Sequence, residues 1–260
     1  MTRATPTQAE IICGNALRQY LENGGSTISS FEFSDQPDLR FRSDGILTGC
    51  ECVQIPPERI YRFVQTRFKN MSSNSQGLKA ARVVWPVEPH TWMQEAIADK
   101  ERHIHRYQSN VNSIEIDLLV HTPVDSSADM VKTSSPHFMV LLQWAANFRR
   151  SRFRKVYFWS AATGIVQLAP SESHLQKPVL DFSLGYPTDG YVMSSAGPFK
   201  TTAEGESPIE YDFGEIEPAV IIIPPTSAEF QKHRPNFTLS KLRCRVIASA
   251  TGVNVVFQRV

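Results

Sequence analysis

Hydrophobic positions along the chain fall into short runs whose period changes from segment to segment. Ile11, Ile12, Leu17 and Tyr20 give a partly apolar helical face that Asn23-Gly24-Gly25 stops, which predicts a helix over 6–22. Residues 27–33 alternate toward Phe31 and Phe33, and 39–42 and 47–55 read as two further strands. Ser43-Asp44-Gly45 between them is a hairpin turn, and Pro56-Pro57 ends the meander. A basic helix follows over 58–70, with Ile60, Tyr61, Phe63, Val64 and Phe68 on or near one side, then a polar loop over 70–79 and a short strand over 81–87. Thr91 is the expected N-cap of one helix running to Gln108. Residues 114–120 form a buried strand, 136–150 a helix, and 155–159 a strand that pairs with 166–168 across Ala162-Thr163-Gly164. Beyond 170 only fragments are readable. The acidic stretch 204–217 reads as a solvated loop, 220–223 as a strand, and 242–248 with 253–259 as a hairpin.

Helix, three-strand meander, helix, strand is an α/β pattern, with the meander in one sheet and helices covering it in three layers. It predicts a core domain over 5–168 and a β-rich C-terminal extension over 169–260 with no assigned role.

Composition refines this picture. With 27 Lys and Arg against 26 Asp and Glu in 260 residues, the chain is nearly neutral, which excludes a basic coat as a whole-chain property. The charge is uneven: residues 1–168 hold 19 basic and 16 acidic side chains, and 169–260 hold 8 and 10. No apolar run approaches the roughly 18 residues that cross a bilayer, and Met1 to Glu10 lacks the pattern of a signal peptide. Of the four cysteines, Cys50 and Cys52 are too close on one strand to bridge each other comfortably. A reduced, cytoplasmic setting without a membrane partner is expected.

Two carboxylates stand out. Asp38 follows Pro37 at the start of the second strand, and Glu51 lies in the third. Antiparallel pairing of those strands brings the two together near one end of the sheet. Close carboxylates repel unless a divalent cation neutralises them, and Mg²⁺ suits one or two carboxylates plus waters. The alternative is a pair of surface acids flanking a hairpin. On the helix expected from Thr91, Met93, Ala96, Ile97, Ile104 and Tyr107 share one face, with Lys100 at its centre. A Lys there either snorkels to the edge or points at a carboxylate. In the second case it would orient a water or stabilise developing negative charge at the Asp38–Glu51 site.

Gln36-Pro37-Asp38-Leu39-Arg40-Phe41, a turn, and then Gly49-Cys50-Glu51-Cys52-Val53-Gln54-Ile55 resemble the PD-(D/E)XK nuclease superfamily, in particular bacterial nuclease-like proteins with a PDF…GxEV pattern. Ile97-Ala98-Asp99-Lys100 through Tyr107, then 116–120, and later 153–158, continue the likeness, which covers about 10–168. The resemblance implies a restriction-endonuclease-like core and Mg²⁺- or Mn²⁺-dependent phosphodiester hydrolysis. It makes Asp38 and Glu51 metal ligands with the main-chain carbonyl of Cys52, and puts Glu10 where many members carry a further acid. The family lysine would stand at Val53, a departure, so Lys100, or more weakly Gln54, would replace it.

Nucleic acid, with DNA the first expectation, would be gripped by Arg149, Arg150, Arg152, Arg154 and Lys155, five bases in seven residues, and by the helix carrying Arg62. Both sets also read as solvated helix ends. Structural zinc on Cys50-Glu51-Cys52 lacks a second ligand pair at the right spacing. No phosphate loop or nucleophile elbow is present. Without the lysine at position 53, the same core would be a catalytically silent module that binds nucleic acid or protein. Self-association is left open.

Overall fold

The computed structural model describes residues 5–72, 79–84, 88–113, 115–122, 136–148, 150–171, 190–194, 199–223 and 241–260. The chain is mixed α/β and divides into two compact units, each built from two stretches: Met1–Glu58 with Glu88–Asp181, and Arg59–Val87 with Phe182–Val260. Residues 59–87 thus belong with the C-terminal segment rather than with the core expected over 5–168.

In the first unit, α1 (Gln8–Asn23) leads into the antiparallel meander β1 (Ile28–Phe33), β2 (Leu39–Ser43) and β3 (Ile46–Gln54). Thr7 and Glu10 start α1 as a capping box, each side chain accepting the other's backbone N–H. Asp44 and Gly45 turn the β2–β3 hairpin with φ of 53° and 83°, both in the left-handed region that a tight hairpin turn requires. After Glu88, α3 (Pro89–Glu101) and α4 (Ile104–Val111) precede β5 (Ile116–His121), then α5 (Pro136–Asn147), β6 (Val156–Ser160) and β7 (Gly164–Ala169). The six strands form one mixed sheet in the order β1-β2-β3-β5-β6-β7, with β3–β5 and β5–β6 parallel.

Strand alternation sorts the side chains between two helical layers. Leu39, Phe41, Cys50, Cys52, Leu119, Tyr157 and Trp159 face Cys13, Leu17 and Leu21 of α1. The opposite face carries Glu51, Leu118 and Phe158 beneath α3, α4 and α5, and the ring of Phe138 on α5 meets Phe158 at 6.0 Å. All six residues of β5 are buried, as a central parallel strand requires.

Two expectations fail in this unit. The helix begins at Pro89 rather than behind Thr91, because Pro fits the first helical turn and needs no N–H partner there. It also breaks at Arg102 and His103 into α3 and α4, with no Pro or Gly at the break.

Gly49 is required by close approach. A Cβ there would lie 2.6 Å from Pro37 Cγ and 3.0 Å from Val111 Cγ2 and Ile116 Cδ1. Gly49→Ala is therefore expected to cost about 1–3 kcal/mol by overpacking, read as a lower urea midpoint at unchanged slope. Because the displaced residue is Pro37, the same substitution also disturbs Asp38.

In the second unit, α2 (Glu58–Lys69) precedes β4 (Lys79–Val84), which lies between β10 (Ala219–Ile222) and β8 (Gly190–Ser194). A second sheet runs β12 (Gly252–Arg259), β11 (Leu242–Ser249), β9 (Ile209–Ile216), all antiparallel. Strand β9 occupies most of the acidic stretch expected to be a loop. Ile209, Tyr211 and Phe213 alternate with Glu210 and Asp212, and those acids pair with Arg245 and Arg243 of β11. Cross-strand charge pairing lets these acids sit in a strand rather than a loop, while both carboxylates stay exposed to solvent.

Candidate active site

The β2–β3 register pairs Leu39 with Cys50 and Arg40 with Gly49. One step further, Asp38 stands opposite Glu51 on the face covered by α3 and α4. The loop before Asp38 is tied down at several points. Ser34 donates its backbone N–H to the Asp38 carbonyl at 2.8 Å, and Asn110 of α4 donates Nδ2–H to the Gln36 carbonyl at 2.7 Å. The Cys52 N–H then donates to Asp38 Oδ2 at 2.7 Å, a bond that continues the β2–β3 ladder through a side chain. N–H and C=O of one strand residue point the same way, so the Cys52 carbonyl also faces the Asp38 side.

Glu51 is buried, its side chain 5 % exposed. Lys100 Nζ on α3 donates to Glu51 Oε1 at 2.6 Å, and the Tyr107 hydroxyl on α4 donates to the same oxygen at 3.0 Å. In a straight helix, residues seven apart lie about 10 Å apart along the axis. The bend at Arg102 and His103 lets both side chains converge on one atom. Glu51 Oε2 is buried and accepts no hydrogen bond among the described residues. Each carboxylate therefore has one oxygen engaged by the protein and a second left over.

The electrostatics follow from this geometry. Burial, and then the charge of Glu51, push the Asp38 carboxyl up to about 7, against the Cys52 hydrogen bond. Burial pulls the Lys100 ammonium down, but the charge and hydrogen bond of Glu51 outweigh it and leave Lys100 above its ordinary value. Lys100 is thus a fixed cation at neutral pH and not a proton acceptor. Burial, and then Glu51, raise the Tyr107 phenol, which stays a neutral donor.

The other predicted residues are placed as follows. Glu10, at the start of α1, is close enough to act electrostatically on both Asp38 and His121. Val53 shares the Glu51 face, two residues on, and Lys100 arrives at Glu51 from α3. Gln54 falls on the opposite, α1-side face by strand alternation, so it does not stand in for a lysine beside Glu51. Arg149 lies outside the described residues. Arg150 is exposed, and Arg152 donates its backbone N–H to Glu101 Oε1 at 2.9 Å and shares a 2.9 Å contact with His105 Nε2. Arg154 is engaged inside the fold. Its Nε and Nη2 donate to Asp117 Oδ1 and Oδ2 at 2.8 and 2.6 Å, and Glu115 lies 3.3 Å from Nε. Lys155 is half-buried, and Arg62 is exposed on α2, in the second unit. Burial raises the Cys50 and Cys52 thiols, which stay protonated against the α1 side.

Sequence reasoning missed Tyr107 as a site residue, since it read as one more apolar position. It also missed Asp117 and His121. His121 is buried at the end of β5, its Nδ1 donating to the Thr122 carbonyl at 2.9 Å, and burial lowers its pKa. An acid and a histidine within an otherwise apolar strand were the available signals.

Among the described residues no three His, Cys, Asp or Glu side chains gather as a preformed metal cage. A pair of carboxylates with spare oxygens, Glu51 with one oxygen buried and unpaired and Asp38 raised by burial and then by its neighbour, still fits a hard cation that keeps most of its waters. Comparison of the chain with family models, with curated proteins and with solved structures gave no match. No helix among the described residues is long and apolar enough to cross a membrane.

Proposed function

We propose that this chain hydrolyses phosphodiester bonds in nucleic acid, with Mg²⁺ or Mn²⁺ held at the Asp38–Glu51 pair of a PD-(D/E)XK-like, restriction-endonuclease-like core. The observation that carries the reading is the convergence on one sheet face of two adjacent carboxylates and a protonated Lys100. The order helix, antiparallel meander, helix, parallel strand supports it.

Asp38 and Glu51 would hold the cation, with the Cys52 carbonyl as a further oxygen donor. A bound cation supplies Lewis-acid polarisation of the phosphate and a water of lowered pKa. The remaining work belongs to the chain. Lys100 places a permanent positive charge where a phosphorane would develop negative charge, the role that fits a group raised above its ordinary pKa. Tyr107 and Lys100 together fix Glu51 through Oε1, so Oε2 is presented without rotamer search.

A second reading is favoured by Val53, which stands where the family carries its lysine. In that case the core is a catalytically silent module that binds nucleic acid or protein. One assay separates the two: supercoiled plasmid and single-stranded RNA incubated with Mg²⁺ or Mn²⁺, beside EDTA and Asp38→Asn controls. Nicking that EDTA and the substitution both remove is the expected result. Binding without cleavage, indifferent to cation and to Lys100→Ala, would instead establish the silent module.

A further inference from the structure

Segment 150–155 wraps the end of the sheet where β5 and β6 begin, and a cavity of about 770 Å³ opens there. Arg150, Arg152, Arg154 and Glu115 are among its polar lining residues, and Phe153, Ala169 and Pro170 among its apolar ones. Its frame is rigid. On one side, Glu101 Oε1 accepts from Ser151 Oγ at 3.0 Å and from the Arg152 N–H at 2.9 Å. On the other, Arg154 N–H donates to the Ile116 carbonyl at 2.8 Å, and the guanidinium is clamped by Asp117, which is fully buried.

The clamp uses the Nε–H and one Nη2–H of Arg154. Three of the five guanidinium donors remain, in a fork that cannot swing away. The Glu115 carboxylate in the wall lies 3.3 Å from Arg154 Nε, so Arg154 stands between two carboxylates, Asp117 and Glu115. Arg150 and Arg152 add two further positive charges, and the partner of the Arg152 guanidinium is an imidazole nitrogen, not a carboxylate. With Asp117 and Glu115 both drawing on Arg154, the net positive character of the lining comes from Arg150 and Arg152. Preorganised guanidinium forks match phosphate oxygens, and the apolar wall and volume suit a group larger than phosphate itself.

We propose that this cavity binds a phosphate monoester carrying an apolar or aromatic group, the chemistry shared by a free nucleotide and by the phosphorylated end of a nucleic-acid strand. The site is separate from the Asp38–Glu51 pair and does not depend on cleavage.

The test is calorimetric titration of the full chain with inorganic phosphate, adenosine 5′-monophosphate, adenosine, and a short single strand with and without a 5′-phosphate. Adenosine 5′-monophosphate is expected to bind at least about tenfold more tightly than adenosine or phosphate alone, since a charge-assisted hydrogen bond is lost in one case and the apolar contact in the other. Arg150→Ala and Arg152→Ala each weaken it about tenfold. The thermal midpoint of Arg150→Ala stays unchanged, because that residue is exposed. Glu51→Gln leaves binding intact, so failure of the metal reading and failure of this one are distinguishable. A phosphorylated strand that outcompetes the mononucleotide identifies a strand end as the ligand, and the reverse order identifies a free nucleotide. Equal affinity for adenosine and its monophosphate, no saturable binding of either, or indifference to both arginine substitutions overturns the proposal.

Discussion

Arg154→Ala is expected to lower the unfolding free energy by about 3–5 kcal/mol, the range for breaking a buried ion pair from one side. Asp117 is fully buried on β5 and has Arg154 as its bidentate partner. Even with the guanidinium in place, burial outweighs it and holds the Asp117 carboxyl above its ordinary value. Without Arg154 the carboxyl rises further. A folded-state pKa above the unfolded one means that the native state binds more protons between the two values, so stability falls as pH rises through that window. The deficit of Arg154→Ala is therefore smaller at acid pH, where the carboxyl is protonated in the folded state, and full at alkaline pH, where the bare carboxylate must be buried charged. Urea midpoints at an acid and an alkaline pH check this. Asp117→Asn should cost less, because it leaves Arg154 partly exposed and still beside Glu115. A deficit independent of pH, or smaller than that of Asp117→Asn, would show that the pair does not carry the load assigned to it.

Glu51→Gln should abolish metal-dependent cleavage, by at least about a hundredfold, with the chain still folded. The amide keeps the size of the side chain and can still accept from Tyr107. Lys100 loses its partner but is 22 % exposed and can turn toward water. The substitution also removes the second-largest influence that raises Asp38, so the Asp38 carboxyl falls back toward its ordinary range. In the unsubstituted protein Asp38, pushed up to about 7, must shed its proton before a cation binds. Below that pH the apparent Mn²⁺ affinity should drop by up to about tenfold per pH unit. Paramagnetic resonance titrations of Mn²⁺ at several pH values read this directly. Retained cleavage in Glu51→Gln, or a pH-independent Mn²⁺ affinity, sinks the metal assignment.

The meander was legible because every local signal agreed. Leu39 and Phe41 alternate, Asp44-Gly45 turns the chain, and Cys50 and Cys52 alternate back. The register then follows, and with it the meeting of Asp38 and Glu51. Lys100 was legible because a charge interrupted an apolar stripe. Tyr107, on that same stripe, carried no such contradiction and read as core. The break between α3 and α4 had no Pro or Gly to announce it. Arg154 and its neighbours looked alike in the basic run, and only the fold reveals which of them Asp117 claims. The acidic stretch misled by composition, although the alternation of Ile209, Tyr211 and Phe213 with Glu210 and Asp212 was there to be read.

The parallel pairing of β3 with β5 has a consequence for synthesis on the ribosome. The two strands are neighbours in the sheet, yet about sixty residues separate them, and nearly half of those belong to the other unit. At about 5–20 residues per second, the finished meander waits roughly 3–12 s for its next strand. During that interval one open edge displays unpaired backbone N–H and C=O groups, those of Gly49 and Ile55 among them, to whatever else is nascent. Non-local pairing of this kind also slows folding. A chaperone that shields the meander would be expected to raise the yield of this chain more than one acting after release.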